Sequence, residues 1–487
     1  MKVLFASSEV YPLAKTGGLA DVAGALPPAL AASGTETRIL MPAYRGVAAA
    51  AKAKAVANLG DPFGRGDAVL LEGKMPDSGL PVWLLDNPAL FDRDGGPYLT
   101  SAGQDWSDND IRFALLSWTA ARLCQANNPF GWQPDILHAH DWQTGLAPAY
   151  LKTWGGPRPG TVFTIHNMAY QGNFSEQLVP RLGLPWSLYT MEGFEFWKHL
   201  SYLKAGLALS DKLTTVSPTY AHEIQSAPNG FGMEGLLSWR GKDLTGILNG
   251  ADYKVWNPAA DNHLHHCYAQ DEFAAGKALN KAALQQELGL PQRPDAPLLV
   301  VVSRLSDQKG IDLLLGIMPA VLEQGCQLAL LGTGDKRIED AFRALSQARP
   351  DQVAARIGFS EALAHRLLAG GDILLMPSRF EPCGLTQIYA LRYGTLPIVH
   401  RTGGLADTVV DSTYDSMLHG QATGFVFDQG TASAFQWSIE RAVALYRSPE
   451  QWRRIQANAT AMEFGWDKAA AQYNDLYRSI RPGVPRD

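Results

Sequence analysis

Lys15-Thr16-Gly17-Gly18-Leu19-Ala20-Asp21-Val22 and Arg401-Thr402-Gly403-Gly404-Leu405-Ala406-Asp407-Thr408 share six consecutive residues in opposite halves of one chain. Each stretch follows an apolar, strand-like run and opens a helical one. A glycine pair at a strand-to-helix turn lets the backbone approach a ligand closely. The first turn of the helix then offers free N–H groups to an anion or a hydroxyl. Lys15 and Arg401 add positive charge just before the two turns. A plain tight turn accounts for either loop alone. Their recurrence favours ligand contact by two similar nucleotide-type domains, because the echo has no period of roughly 20–50 residues and is no repeat array.

Outward from the first loop, strands are expected at 2–7, 37–41, 83–85, 136–139, 161–165 and 213–216, with helices after Gly18, at 108–126 and at 145–152. Pro27-Pro28 is expected to kink or split the first helix, since proline removes a helical hydrogen bond and clashes with the preceding turn. The pattern fades between Asn249 and Pro297 and then restarts. Strands at 298–303, 327–331, 353–357, 373–376 and 396–399 alternate with helices at 310–323, 335–347, 360–369 and 384–393. Apolar strands alternating with helices read as a parallel sheet covered on both faces. The expected fold class is therefore α/β, with two doubly wound Rossmann-like domains and a boundary near residues 250–258.

The 487-residue length agrees with two domains, because single cores stop growing near ~250–300 residues. With 46% apolar and 18% charged residues the composition is globular, not disordered. The formal charge of −6 argues against a nucleic-acid partner, which favours a basic surface. Cys124, Cys267, Cys326 and Cys383 lie far apart and form no Cys-x-x-Cys pair, a reduced pattern rather than a disulfide framework. Neither a secretory signal nor an apolar run near the ~20 residues of a membrane span is visible. The expected location is cytoplasmic, with no membrane partner.

Polar clusters gather at the ends of the expected strands, where open α/β sheets bind ligands. His138-Ala139-His140-Asp141 and His166-Asn167 end two strands of the first half. A metal reading of this His-x-His-Asp cluster needs further ligands. The histidines read either as donors lining a site or, for His138 above all, as satisfied core residues. In the second half, Arg304 and Lys309 flank a strand end and a glycine-started helix, a fork and a point charge suited to a diphosphate. Glu381 precedes Cys383-Gly384-Leu385-Thr386 at a helix start. It is either a capping carboxylate or a binder of sugar hydroxyls, with the N–H groups of 384–386 meeting phosphate. Cys383 has no base beside it in sequence and is rejected as a nucleophile.

Taken in order, these segments resemble the bacterial glycogen synthases and plant starch synthases, retaining glycosyltransferases of the GT-B fold. Further carriers are Ser8-Glu9-Val10-Tyr11-Pro12, Thr215-Val216-Ser217-Pro218, Gly232-Met233-Glu234-Gly235-Leu236, Asn249-Gly250-Ala251-Asp252 and Ser378-Arg379-Phe380-Glu381-Pro382-Cys383-Gly384. The likeness runs along essentially the whole chain. It implies an acceptor-side domain at 1–250, a donor-side domain at 251–463 facing it across a deep cleft, and a last segment at 464–487 crossing back to the first domain.

The resemblance also implies transfer of glucose from ADP-glucose to the non-reducing end of an α-1,4-glucan, glycogen or maltodextrin, with retention and release of ADP. No metal or prosthetic group is expected. Glu381, His166, Arg304 and Lys309 are then the catalytic set. Lys15, Gly18, Glu9, Asp21, Asp141, Asn167, Asn249, Cys383, Gly384, Leu385 and Thr386 are the substrate-binding set. Thr333 and Phe359 differ in detail near the expected adenine position, and no residue reads the base directly. Rival readings are another enzyme on this architecture, such as an epimerase, a sucrose-type synthase or a glucan phosphorylase, and a non-catalytic glucan-binding protein. The full donor cradle speaks against the last.

Overall fold

The computed structural model describes residues 1–480 apart from Asn127 and Pro129. The chain divides into two compact units, Met1–Gly250 with the segment from Trp466, and Ala251–Gly465. Of the expected last segment, residues 481–487 lie outside the described residues.

The first unit holds β1 (Lys2–Ala6), β2 (Glu36–Pro42), β3 (Lys54–Asn58), β4 (Val69–Lys74), β5 (Pro81–Asp86), β6 (Ile136–His140), β7 (Gly160–Ile165), β8 (Asn173–Ser175), β9 (Glu195–Phe196), β10 (His199–Ser201), β11 (Lys212–Thr215) and β12 (Leu244–Gly246). Nine of them form one sheet in the order β12-β11-β7-β6-β1-β2-β5-β4-β3. Its inner strands are parallel, and β3 and β4 add an antiparallel edge. β8, β10 and β9 make a small antiparallel sheet. Both antiparallel elements are short and partly exposed, so they lack the continuous apolar runs by which buried parallel strands are recognised.

Side chains alternate across the main sheet. Val3 and Phe5 pack with helices Gly18–Ala32 and Trp466–Ile480, while Leu4 and Ala6 pack with helices Asn109–Leu123 and Ala147–Trp154. Each fully buried Leu or Phe in such a layer contributes about 1.5–3 kcal/mol. Helix Gly18–Ala32 runs unbroken through Pro27 and Pro28, so the expected split does not occur. Burial of Val22, Ala23, Leu26 and Leu30 against the sheet and the C-terminal helix offsets the two missing N–H donors. That C-terminal helix is anchored by polar bonds as well: Thr35 donates to Asn474 at 2.7 Å and Asn474 to Ser33 at 2.7 Å.

The second unit is a parallel sheet of β13 (Leu298–Val302), β14 (Gln327–Gly332), β15 (Val353–Ile357), β16 (Ile373–Met376), β17 (Leu396–His400) and β18 (Phe425–Phe427). Its strand order is β15-β14-β13-β16-β17-β18. Helices Ile311–Glu323, Ala432–Tyr446 and Pro449–Thr460 cover one face, and helices Glu361–Gly370 and Thr386–Arg392 the other.

Inside the stretch where the sequence pattern fades lies helix Phe273–Leu288, sixteen residues long. Its buried face carries Lys277, Lys281 and Gln285, which hides the apolar stripe by which amphipathic helices are read. The Lys277 ammonium donates to Thr395 at 2.6 Å and to the Ala369 carbonyl at 3.0 Å. Burial pushes it down to about 7. Lys281 pairs with Asp372 at 2.7 Å. A buried ammonium persists only with such partners.

Candidate functional site

In the first unit, the loop after β1 is braced from below. Glu9 is 3% exposed, and its carboxylate accepts the N–H of Thr16 and, at 3.2 Å, that of Gly17. The Tyr98 hydroxyl donates to its other oxygen at 2.8 Å. Burial pushes the Glu9 carboxyl up, against the pull of these hydrogen bonds. The brace leaves the start of helix Gly18–Ala32 open, since a Cβ added at Gly17 or Gly18 meets nothing within 4 Å. Lys15 pairs with Asp21 at 2.8 Å and lies 5.3 Å from the Tyr11 ring centroid.

At the ends of β6 and β7 the three histidines separate into different roles. His138 is fully buried; its Nε2 bonds Thr164 at 2.6 Å and its Nδ1 meets the Tyr477 hydroxyl at 2.7 Å. It is a core histidine that ties the sheet to the C-terminal helix, not a donor lining a site. His140 is also fully buried, with Nδ1 2.9 Å from Nε2 of His166. Its own Nε2 has no partner among the described residues. An orphaned buried N–H is disfavoured more than an orphaned acceptor, so the His140 proton belongs on Nδ1 and is donated to His166. His166 then carries its proton on Nδ1, available to another acceptor. Burial holds the His166 ring down to about 3, so it stays neutral.

Asp141 adopts φ +54°, and its carboxylate accepts the His166 N–H at 2.7 Å. Burial pushes this carboxyl up to about 7 despite backbone hydrogen bonds from His166 and Asn167. Asp141 therefore sets the turn that aims His166 and Asn167. Asn249 is 5% exposed, and its Oδ1 lacks a partner among the described residues. A bare buried acceptor costs about 1–3 kcal/mol.

In the second unit, Arg304 is exposed two residues past the end of β13. The turn Asp307–Lys309 ends at Gly310, whose φ is +63° and whose added Cβ would fall 2.0 Å from the Pro377 carbonyl oxygen. Only glycine permits that approach, and it delivers Lys309 to Glu381 at 2.5 Å. Ser378 donates to the same Glu381 oxygen at 2.9 Å, and Glu381 is 5% exposed. His400 Nδ1 in turn donates to the Ser378 carbonyl at 2.8 Å.

Cys383 is buried, and Gly384 takes φ +68° just before Leu385 and helix Thr386–Arg392. The Gln387 amide secures this turn by donating to the Cys383 and Gly384 carbonyls at 3.1 Å each. Thr333 donates to Glu339 at 2.7 Å, and Phe359 is 79% exposed.

The second Thr-Gly-Gly loop differs from the first. A Cβ at Gly403 would lie 1.9 Å from the Glu381 carbonyl oxygen, and one at Gly404 would lie 2.1 Å from that of Cys383. The Gly404 N–H donates to the Glu381 carbonyl at 3.1 Å. Here the glycines are a packing surface that holds the Glu381 turn, and Arg401 faces away to pair with Asp428.

Residues 2–239 match the family described as starch synthase catalytic domain, and residues 285–460 match glycosyl transferases group 1. The chain is 63% identical to a glycogen synthase of Paramagnetospirillum magneticum over 483 residues, covering 99% of this chain and 98% of that one. A glycogen synthase of Variovorax paradoxus is 49% identical, with 98% of each chain covered. This chain belongs to the glycogen synthase and starch synthase family. It is thus a glycosyltransferase with the two-domain α/β GT-B fold. The catalytic domain of starch synthase IV from Arabidopsis thaliana, bound to ADP and acarbose, superposes with a TM-score of 0.87 at 33% identity over 98% of both chains. A sucrose-phosphate synthase from Thermosynechococcus elongatus, at 18% identity and TM-score 0.57, shares the fold.

Within this family member, local sequence reading missed several residues that shape the half-sites. Tyr98 reaches Glu9 across 89 positions, and Tyr477 reaches His138 across 339; no local signal links such pairs. Ser378 and His400 were legible only as neighbours of Glu381 and Arg401.

The Asp141 environment has a measurable consequence. Its folded pKa is raised, so between the ordinary aspartate range near ~4 and about 7 the folded chain binds more protons than the unfolded one. This carboxyl therefore contributes stability that is complete at about pH 4 and lost as pH rises through 7. Asp141→Asn keeps the oxygen that accepts the His166 N–H but cannot ionise. We expect it to flatten the fall in Tm between about pH 5.5 and 8, on the order of 2 kcal/mol of linked stability. Parallel pH–Tm profiles for variant and parent would contradict this.

Proposed function

We propose that the chain transfers glucose from ADP-glucose to the non-reducing end of an α-1,4-glucan, with retention and release of ADP, in glycogen biosynthesis. The observation that carries this reading is the Lys309–Glu381–Ser378 cluster at the strand ends of the second unit. It sits in a family whose starch synthase IV relative was solved with ADP and acarbose.

In this reading Arg304 and Lys309 take the diphosphate, with the N–H groups around Gly384–Thr386 assisting. Glu381 orients the glucose hydroxyls beside Cys383 and Leu385. His166, neutral and protonated on Nδ1, and Asn167 lie beside the sugar, while Asn249 offers its unpaired acceptor. Lys15, Gly18 and Asp21 meet the donor from the first loop, which Glu9 braces. Charge developing on the departing diphosphate is met by groups already in place, the most effective form of electrostatic stabilisation. These donors are side-chain cations and backbone N–H groups, so the reading assigns no role to a metal or prosthetic group.

Retention has two routes. A covalent glycosyl-enzyme needs a carboxylate nucleophile, but Glu381 is neutralised by an ammonium at 2.5 Å and is a weak one. That favours attack on the same face of the sugar, with the departing phosphate oxygen accepting the acceptor's proton.

Incubation with glycogen and either ADP-[14C]glucose or UDP-[14C]glucose tests the reading. Label should enter polymer from the ADP sugar; no incorporation from either donor would sink it. Lys15→Ala should raise the donor KM by about tenfold with a smaller effect on kcat, because its contact is with the bound donor. An unchanged donor KM would remove Lys15 from the donor contacts.

A further inference from the structure

Away from the Glu381 cluster, two rings stand in solvent on the second unit. Tyr414 is 86% exposed and Trp437 57% exposed. Both line an open cavity of about 510 Å³, with Asp411, Asp428, Gln429 and Arg441 among its walls. The cavity lies beside the edge strand β18, two strands from β16, and shares no residue with the Glu381 cluster. Its size is within the ~300–1,000 Å³ typical of ligand pockets.

The polar walls are fixed in advance. Arg441 bonds both Asp411 oxygens at 3.2 Å and the Ser412 carbonyl at 2.9 Å. Its guanidinium carbon is 4.6 Å from the Trp437 ring centroid, a cation–π contact that steadies the indole. On the other wall Asp428 pairs with Arg401. The two acidic and two basic groups cancel, so the site offers no net field to a phosphate or a nucleic acid. Exposed planar rings beside fixed, neutralised hydrogen-bonding groups suit a neutral ligand with an apolar face and a rim of hydroxyls. A pyranose chain has that chemistry.

We propose that this cavity is a second α-glucan site, which stacks a chain of the polymer acceptor on Trp437 and Tyr414 away from the transfer centre. The inference rests on the reading that the acceptor is an α-glucan. A chain held here keeps other chain ends of the same particle at high effective concentration near the enzyme. The site should therefore matter for glycogen and not for a short acceptor.

The test uses the full chain carrying Trp437→Ala and Tyr414→Ala, separately and together, with thermal melts to show folding. The double variant should lose about tenfold in affinity in glycogen-containing native gels and raise the glycogen KM by about fivefold or more. Its kcat with maltotriose and its donor KM should stay at the parent values. Unchanged retardation and glycogen KM would overturn the proposal. So would a matching loss of turnover on maltotriose, which would place the rings in the transfer site. Loss of self-association with glycogen binding intact would also overturn it, by naming a second copy as the occupant. If the parent protein transfers no glucose, the proposed activity fails. Trp437-dependent retardation by glycogen would still establish this site.

Discussion

Glu381→Ala should lower kcat by about two to four orders of magnitude while the chain still folds. The carboxylate is 5% exposed and takes both the Lys309 ammonium at 2.5 Å and the Ser378 hydroxyl at 2.9 Å. Removing it loses the group proposed to orient glucose and also frees Lys309 to move. Loss of the pair costs stability too, but Lys309 keeps 16% side-chain exposure, so water can partly re-solvate it. The expected cost is about 1–3 kcal/mol, below that of breaking a fully buried pair. Glu381→Gln separates the effects: it can still accept a hydrogen bond from Lys309 and should melt closer to the parent, yet remain slow. Arg304→Ala should likewise cut kcat by orders of magnitude, with little change in Tm because Arg304 is exposed. Initial rates with labelled donor, paired with thermal melts, read both quantities. Turnover near the parent level in Glu381→Ala would remove this residue from the proposed mechanism.

The second large effect is expected at Gly403. Alanine there would put a Cβ 1.9 Å from the Glu381 carbonyl oxygen at a backbone φ of +43°. The clash is with backbone, so no rotamer change relieves it, and the Glu381 turn itself must move. We expect a loss of about 3 kcal/mol or more, combining overpacking with left-handed strain. Activity should fall along with it, because the displaced atoms belong to Glu381 and Cys383. The same substitution at Gly17 or Gly18, where nothing lies within 4 Å, should shift stability by no more than about 1 kcal/mol. A Gly403→Ala protein that melts and turns over like the parent would show that the two loops are equivalent after all.

That contrast measures how far local reading reaches. Strand runs such as Leu298–Val302 and Ile373–Met376 were legible because strands buried on both faces are continuously apolar. That Pro27-Pro28 does not split its helix has the opposite reason: a proline penalty is local, while the burial that outweighs it comes from a sheet and a helix distant in sequence. Helix Phe273–Leu288 has no legible apolar stripe because Lys277 and Lys281 point inward, where the carbonyls of 368–369 and 296, the Thr395 hydroxyl and Asp372 partner them.

By itself the sequence determined the fold class, the family and which residue types stand at the strand ends, because these follow from apolar periodicity and from ordered short motifs. Tertiary structure decided what each motif does. It split His138, His140 and His166 into a core residue, a proton-positioning partner and a neutral ring that accepts that proton, through contacts with Tyr477 and with one another. It also gave one Thr-Gly-Gly-Leu-Ala-Asp stretch an open helix start and packed its twin against the Glu381 turn. Identical residues carry identical local preferences. What approaches them from elsewhere in the chain is set by long-range packing, and that is what separates the two loops.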